Sequence, residues 1–307
     1  MTASHREVRV NVFPGIQNLP HFAAIEQGYF AMRGIDVVMT FTTSSEAQRE
    51  ALAGATCDIA HAAVDNAVAM VDVAKEDVII VIGLDPSFNR FVVQPEVKSY
   101  EELRGKTLGV DAPDTAFALI AYDIMARKGL PPGSYRVEAI GATRFRLEAL
   151  QQRRIDAAML NLPFNLLARD SGLRLLDDPL SIIGAYQSVG GFVRRAWAQE
   201  NAGTLVDYLA AYIQGVRWVL NPANHAAGVA LLGREMTLSP QMSTECMSAL
   251  TQGIARDAEL DQAGMKKVLS LRASFVSGEG SALAPVSRYY DATYYNEALA
   301  VLARPKT

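Results

Sequence analysis

The sequence predicts an α/β protein made of two successive doubly wound units and closed by a helical C-terminal region. Three observations predict it. Strand-sized apolar runs alternate with helix-period segments over residues 7–83, the same alternation restarts after residue 90, and from Trp197 onward the periodicity is almost entirely helical.

Residues 7–13, EVRVNVF, alternate polar and apolar in period two, as a strand does. Pro14-Gly15 turns the chain, and Pro20 stands where a helix can begin. Phe22, Ile25, Tyr29 and Met32 then recur at helical spacing up to Gly34, a C-terminal cap. A strand over 35–41 follows. The hydroxyls of residues 42–45 introduce a helix to about Ala53, and a short buried strand covers 57–60. A helix from Asp65 and a strand over 78–83 complete a β-α-β-α-β-α-β order, the pattern of a parallel sheet with helices on both faces. In the second unit, strands are predicted over 106–111, 135–140 and 155–160, with helices over 114–128, 143–153 and 164–171. Helices over 204–220, 224–234, 239–257, 261–273 and 292–302 end the chain.

Composition bounds the function. The 307 residues are half apolar and 20% charged, which supplies a large core and argues against disorder. The net charge of −4 and the lack of any run of five like charges give no electrostatic reason for a nucleic-acid or anionic-membrane partner. The longest apolar runs are strand-sized, well short of the ~20 residues that span a bilayer. The N-terminus has no apolar signal core. The expectation is therefore a cytoplasmic chain if Met1 is its native start, and a periplasmic one if the chain is processed or truncated. Cys57 and Cys246 fit no metal or redox spacing and read as core thiols. No metal site and no cofactor are expected.

Several segments, in order, carry a family resemblance. LPHFAAIEQGYFAMRGIDVVM, from Leu19, resembles the opening of type II periplasmic solute-binding proteins of the nitrate, sulfonate and taurine group, which share a superfamily with a thiamine-pyrimidine synthase. EALAGATCDIAHA, SYEELRGKTLGVD, LEALQQRRIDAAMLNLP and the helical stretch 197–232 with its Asn221-Pro222 resemble later segments of that family. The resemblance covers roughly residues 8–302. It implies two lobes joined by two crossover segments, placed near 83–90 and 183–193, with the C-terminal helices packing back on the first lobe. The lobes are then 1–87, 88–188 and 189–307, the last returning to the first.

In open α/β sheets a ligand binds beyond the carboxyl ends of the strands, at helix N-termini. That rule selects Gln17, Asn18 and His21 after the first strand; Thr42, Thr43, Ser44 and Ser45 after the second; and His61, Asp65 and Asn66 after the third. The second unit adds Asp111, Asp114 and Thr115, then Thr143 and Arg144, then Asn161. The crossovers add Ser87, Asn89 and Arg90, and Gln187 and Ser188. Each also has a structural reading. Residues 42–45 and Asp114 can cap helices, His21 and His61 can be satisfied polar groups between elements, and Arg144 can be solvated beside Arg146. Arg90 and Arg144 with helix N-termini suit an anion, whereas Asp65, Asp85, Asp111 and Asp114 favour an amine or a hydroxylated compound, so both signs stay open.

The function implied is a solute-binding protein, the substrate-binding component of an ABC-type importer. Its partners are a small organic ligand and an ABC permease, with no nucleic acid, no membrane insertion and a monomeric chain. The alternatives are a cytoplasmic metabolite sensor or a cytoplasmic cofactor-free enzyme on the same fold, a lyase, decarboxylase or desulfinase-like protein using His61 with Asp65 or Asp111. The sequence has no HExxH, GxSxG, P-loop or CxxC motif. Cys57 and His61 would lie ~13 Å apart in a strand, too far for a thiol–imidazole dyad. Pro14-Gly15 stands where the related desulfinase has its cysteine, although His61-Ala-Ala-Val-Asp65 resembles that enzyme's histidine segment.

Overall fold

The computed structural model describes residues 6–85, 87–277 and 283–304. Residues 1–5, on which part of the export-signal expectation falls, lie outside the described residues. The chain begins with β1 (Arg6–Val12), α1 (Leu19–Glu26), β2 (Ile35–Phe41), α2 (Ser45–Ala53), β3 (Ile59–Ala63), α3 (Asp65–Asp72) and β4 (Val78–Ile82). It then forms β5 (Arg90–Val93), β6 (Thr107–Val110), α4 (Ala116–Arg127), β7 (Arg136–Ala139), α5 (Thr143–Gln151), β8 (Ala157–Leu160), α6 (Phe164–Asp170), β9 (Arg174–Leu175) and α7 (Pro179–Ile183). The return segment is β10 (Val189–Arg194), followed by α8 (Arg195–Glu200), α9 (Ala202–Leu220), α10 (His225–Met236), α11 (Pro240–Gly253), α12 (Gln262–Arg272) and α13 (Thr293–Ala303).

Two five-stranded sheets organise these elements, in the orders β2-β1-β3-β10-β4 and β7-β6-β8-β5-β9. This is the two-lobed type II periplasmic-binding-protein fold, with a helical C-terminal region. The sheets are mixed rather than parallel, which corrects the sequence expectation. Strand β10 runs antiparallel between β3 and β4, and β5 runs antiparallel to β8 and β9. Both strands follow a crossover. Such a strand enters its sheet at the edge where the parallel strands end, so it must run the opposite way. Side-chain alternation carries no direction, and the sequence pattern therefore missed it.

Other differences are local. The predicted helix around Phe22 to Met32 breaks after Glu26, because Gly28 adopts a φ of 71° and the backbone turns through a short 3-10 segment, 31–33, to Gly34. Ile25 and Met32, expected on its apolar face, are 46% and 66% exposed. The third strand begins two residues later than predicted, which places His61 inside it. The long helix expected over 239–257 ends at Gly253.

The first lobe's core forms around α9, eleven of whose nineteen residues are buried. It packs against α1 at Gly215, where a Cβ would stand 2.2 Å from the Pro20 carbonyl oxygen. Val8, Val10 and Val12 from β1 and Ile59 from β3 pack into the same core with no exposed surface. Cys57 and Cys246 are buried free thiols, raised to about 11 and about 12 chiefly by burial. Among the described residues no helix is long and apolar enough to cross a membrane, and no group of three or more His, Cys, Asp or Glu could hold a metal ion.

Two histidines expected at the ligand site sit in this core. Tyr208 of α9 places its hydroxyl 2.8 Å from His21 Nε2 and 3.0 Å from His61 Nε2. A phenol has one proton, so it donates to one imidazole and accepts from the other. The rings of His21 and His61 meet edge to face at 4.5 Å. Burial holds both neutral: His61 is pushed down to about 3, and His21 well below its ordinary range by burial and by His61 beside it. Because their folded pKa values lie below the unfolded value, their contribution to stability is present above about pH 6.5 and lost as the pH falls. Stability should therefore fall as the pH drops from 6 towards 4, with both histidines contributing. Urea unfolding of His21→Gln and His61→Gln over that range should show each variant losing roughly half of that contribution; wild-type slopes in both would show that the pair is not the source.

Candidate functional site

The two sheets face each other across a cleft of about 640 Å³, counted with the solvent at its mouth. Its floor is made by the described residues of the two crossovers, 83–85 with 87–89 and 184–188, which run side by side. The Ser188 N–H donates to the Asp85 carbonyl at 3.0 Å, and the Val64 N–H at the start of α3 donates to the Ser188 carbonyl at 2.8 Å. The C-terminal region braces the floor from below. Ala255 N–H donates to the Leu84 carbonyl, Gly83 N–H to the Ala258 carbonyl, and Asp261 N–H to Gln187 Oε1. Ser87 holds a φ of 144°, a costly conformation for a side-chain-bearing residue, and its hydroxyl accepts from the N–H and amide of Asn89.

Of the residues the sequence singled out, Gln17, Ser45, Asn66, Asn89, Asp111, Thr115, Thr143, Asn161 and Ser188 line this cleft. They come from the first sheet's loops, both crossovers and the second sheet's loops. Asn66 stands in the first turn of α3 and Thr115 immediately before α4. Asp111 closes β6 and reaches across the cleft, where its Oδ2 accepts from the Ser45 N–H at the start of α2 at 3.1 Å. A carboxylate there also suits the positive end of the helix dipole. A second tie runs the other way, from the Ala142 N–H to the Thr43 carbonyl at 3.0 Å.

The remaining candidates are placed elsewhere. Asn18 turns back and donates to the Phe13 carbonyl, bracing the loop after β1. Thr42 Oγ1 donates to the Ser44 carbonyl, Ser44 caps α2 by accepting from Ala47 N–H, and the Thr43 side chain is exposed. Gln187 ties the second crossover together by donating to the carbonyls of Asp85 and Val189. His21 and His61 are occupied by Tyr208 in the core. Asp65 is buried in an ion pair with Arg272 of α12 at 3.0 Å; the same guanidinium donates to the Asp114 carbonyl in the second lobe. Burial raises Asp65 and the arginine opposes that rise. Arg90 donates to the Asn89 carbonyl and pairs with Asp178 at the surface. Asp114 caps no helix; it pairs with Arg49 at 3.5 Å.

Arg144 is exposed, with its guanidinium over the Phe145 ring, and the arginine in the cleft is Arg146. Residues two apart on a helix point about 200° apart, so only one of the two can face inward. The signal was present: Arg146 lies four residues before the buried Leu150, on the apolar face of α5. Burial lowers Arg146 to about 10, with Asp111 opposing, so it stays charged at neutral pH. Two of its nitrogens are engaged locally, with the Gly141 carbonyl at 3.1 Å and Thr143 Oγ1 at 3.0 Å. Sequence reasoning also left out the aromatic walls, Phe13, Phe88 and Phe117, because an isolated Phe looks like core.

The sequence offers Asp85 only as a charge, yet its side chain lines the cleft. It is 3% exposed and sits in the first crossover, hydrogen-bonded to the Val189 N–H. Burial raises it to about 8. Among the described residues, the cleft lining holds carboxylates, amides, hydroxyls and one guanidinium, and no His, Cys or Lys side chain. Such a lining can hold a small molecule by hydrogen bonds and charge.

Residues 16–226 match the family described as NMT1/THI5 like. No curated protein matches the chain. Among solved structures, a protein from Bordetella bronchiseptica RB50 superposes with a TM-score of 0.84 at 18% identity, covering 99% of this chain and 100% of its own. The periplasmic nitrate-binding protein NrtA from Synechocystis PCC 6803 gives 0.82 at 13%, covering 98% and 90%. The alkanesulfonate-binding protein SsuA from Xanthomonas axonopodis pv. citri, bound to MOPS, gives 0.77 at 15%, covering 95% and 100%.

A carboxyl whose folded pKa lies above its unfolded value favours the fold most at acid pH, and that contribution is lost as the pH rises towards about 8. Asp85→Asn should therefore melt roughly 2–6 °C above wild type at pH 9 and close to it at pH 4. Thermal melts at the two pH values check this; a destabilised variant at pH 9 would show that the carboxylate is compensated in the fold.

Proposed function

The chain belongs to the NMT1/THI5-like family, and from that premise we propose that it is the solute-binding component of an ABC-type importer. Its ligand is a small organic molecule held between lobes 1–87 with 189–307 and 88–188. The observation that carries this reading is that polar atoms from both lobes face one cleft without a protein partner among the described residues. They include Asn66 Oδ1 on the first lobe and Asp111 Oδ1 and Asn161 Oδ1 on the second. A buried acceptor left unpaired costs about 1–3 kcal/mol, and a ligand that donates to acceptors on both lobes removes that cost only when the lobes are together. Direct ties between the lobes include Ser45 to Asp111, Ala142 to Thr43, Arg49 to Asp114 and Arg272 to the Asp114 carbonyl. A ligand that bridges both lobes adds its own contacts to these and shifts the population further towards the closed state.

The nitrate- and alkanesulfonate-binding proteins of similar fold support a transport role, with a permease as the partner that reads the closed state. On this reading the chain acts in the periplasm as a monomer and returns its ligand unaltered.

Solution scattering with a panel of small amines, carboxylates, sulfonates and pyrimidines tests it. The radius of gyration should fall with a ligand that is then recovered unchanged. Asn66→Ala and Asn161→Ala, on opposite lobes, should each weaken that ligand about tenfold without lowering the melting temperature of the free protein. Unchanged affinity in both variants would sink this placement of the cleft, and a transformed ligand would make the protein an enzyme.

A further inference from the structure

The cleft's unpartnered atoms are lopsided. Five acceptor oxygens face it with no hydrogen-bond partner among the described residues: Oδ1 of Asn66, Asn89, Asp111 and Asn161, and Oδ2 of Asp85. A side-chain amide can be turned to offer its nitrogen instead, so Asn66 and Asn161 adapt to either kind of ligand, whereas the Asn89 amide is held by Ser87 Oγ. An ionised carboxylate only accepts, and Asp85, which burial raises to about 8, ionises more readily when a cation stands beside it. Asp85 and Asp111 each use one oxygen on a backbone N–H, of Val189 and Ser45, and keep the other for the cleft.

The opposing charge is poorly placed for an anion. Arg146 is the one cation lining the cleft among the described residues. Each of its terminal nitrogens spends one N–H, on Gly141 and Thr143, and Nε has no partner among the described residues. A free anion here would meet this single guanidinium beside two acidic side chains, whereas a cation would meet acceptors on both lobes.

Resting on the reading of this cleft as a binding site, we propose that its ligand is a small organic cation, a primary or secondary amine with an apolar body, held between Asp85 and Asp111. The ammonium donates to Asp85 Oδ2 from the crossover side and to Asp111 Oδ1 from the second lobe. Its remaining proton reaches the amide oxygen of Asn66 or Asn161. Phe13, Phe88 and Phe117 supply the apolar walls, and their ring faces favour a cation further. Burial of Asp85 with no positive partner among the described residues, which raises its pKa, agrees with a carboxylate whose counter-ion is the ligand.

The test is calorimetric titration of the full chain with benzylamine and butylamine, their alcohol counterparts, and benzoate, benzenesulfonate and butanesulfonate. The amines should bind at least 30-fold more tightly than the alcohols, and the anions should give no heat. Asp85→Asn and Asp111→Asn, whose folding is checked by the melting of the free protein, should each lose 10-fold or more in amine affinity. Alcohol binding should be unchanged in Asp85→Asn. Binding of the sulfonates or benzoate but not the amines would overturn the assignment while leaving the cleft as a binding site. Amine binding that survives both substitutions would overturn it too. Silence from every compound would also overturn it, and the scattering experiment would then decide separately whether the cleft binds anything.

Discussion

Strand β10 enters the first sheet between β3 and β4, pairing Gly191 with His61 on one side and with Ile82 on the other. Once the returning chain occupies the middle of that sheet, the two crossovers must leave and re-enter side by side. Their carbonyls and N–H groups then bond to one another, as Asp85 and Ser188 do. The cleft floor, the pairing of the crossovers and the position of Asp85 all follow from this one insertion. The insertion also explains the paired glycines. A Cβ on Gly190 would lie 2.5 Å from the Ile82 carbonyl oxygen, and one on Gly191 would lie 2.9 Å from the His61 ring.

The return segment continues into α9, the helix on which the first lobe's core is built, so the fold and the hinge are stabilised by the same stretch of chain. The C-terminal region ties them further. Segment 255–261 bonds to both crossovers, and Arg272 at the end of α12 reaches Asp65 in the first lobe and the Asp114 carbonyl in the second. A buried pair such as Arg272 and Asp65 adds little net stability, since desolvation offsets most of its attraction. Its more definite consequence is geometric: one guanidinium holds three segments at a fixed separation behind the cleft.

Against that braced frame the cleft gathers unpaired acceptors from several elements. Elsewhere some polar groups are paired in compact arrangements, as Tyr208 pairs the Nε2 atoms of two imidazoles and Gln94 the carbonyls of Leu150 and Ile155, while others, such as Asn11 Oδ1 and Gln48 Oε1, stay singly unpaired. In the cleft, acceptors from both lobes are withdrawn from water and left unpaired, and a carboxyl is kept where its charge is disfavoured. Groups held at such a cost are arranged for a molecule that completes them. The strained Ser87 beside Asn89 belongs to the same pattern, because it fixes the amide that faces the cleft.

The sequence by itself determined the α/β class, the positions of most strands and helices, and, through the rule that ligands lie beyond strand ends, the loops that form the cleft. Hydrophobic period and capping residues are local signals, and local signals survive without neighbours. Strand direction, the insertion of β10 and the choice between residues on the same loop were decided only by tertiary structure. His21 and His61 looked like ligand groups until Tyr208, 147 residues beyond His61 in the chain, closed over both. Arg90 found Asp178, and Asp65 found Arg272. A polar side chain's role depends on which partner reaches it first, and those partners come from distant segments whose approach is set by packing. Asp85 was set apart in the same way: among the described residues, none reached its second oxygen.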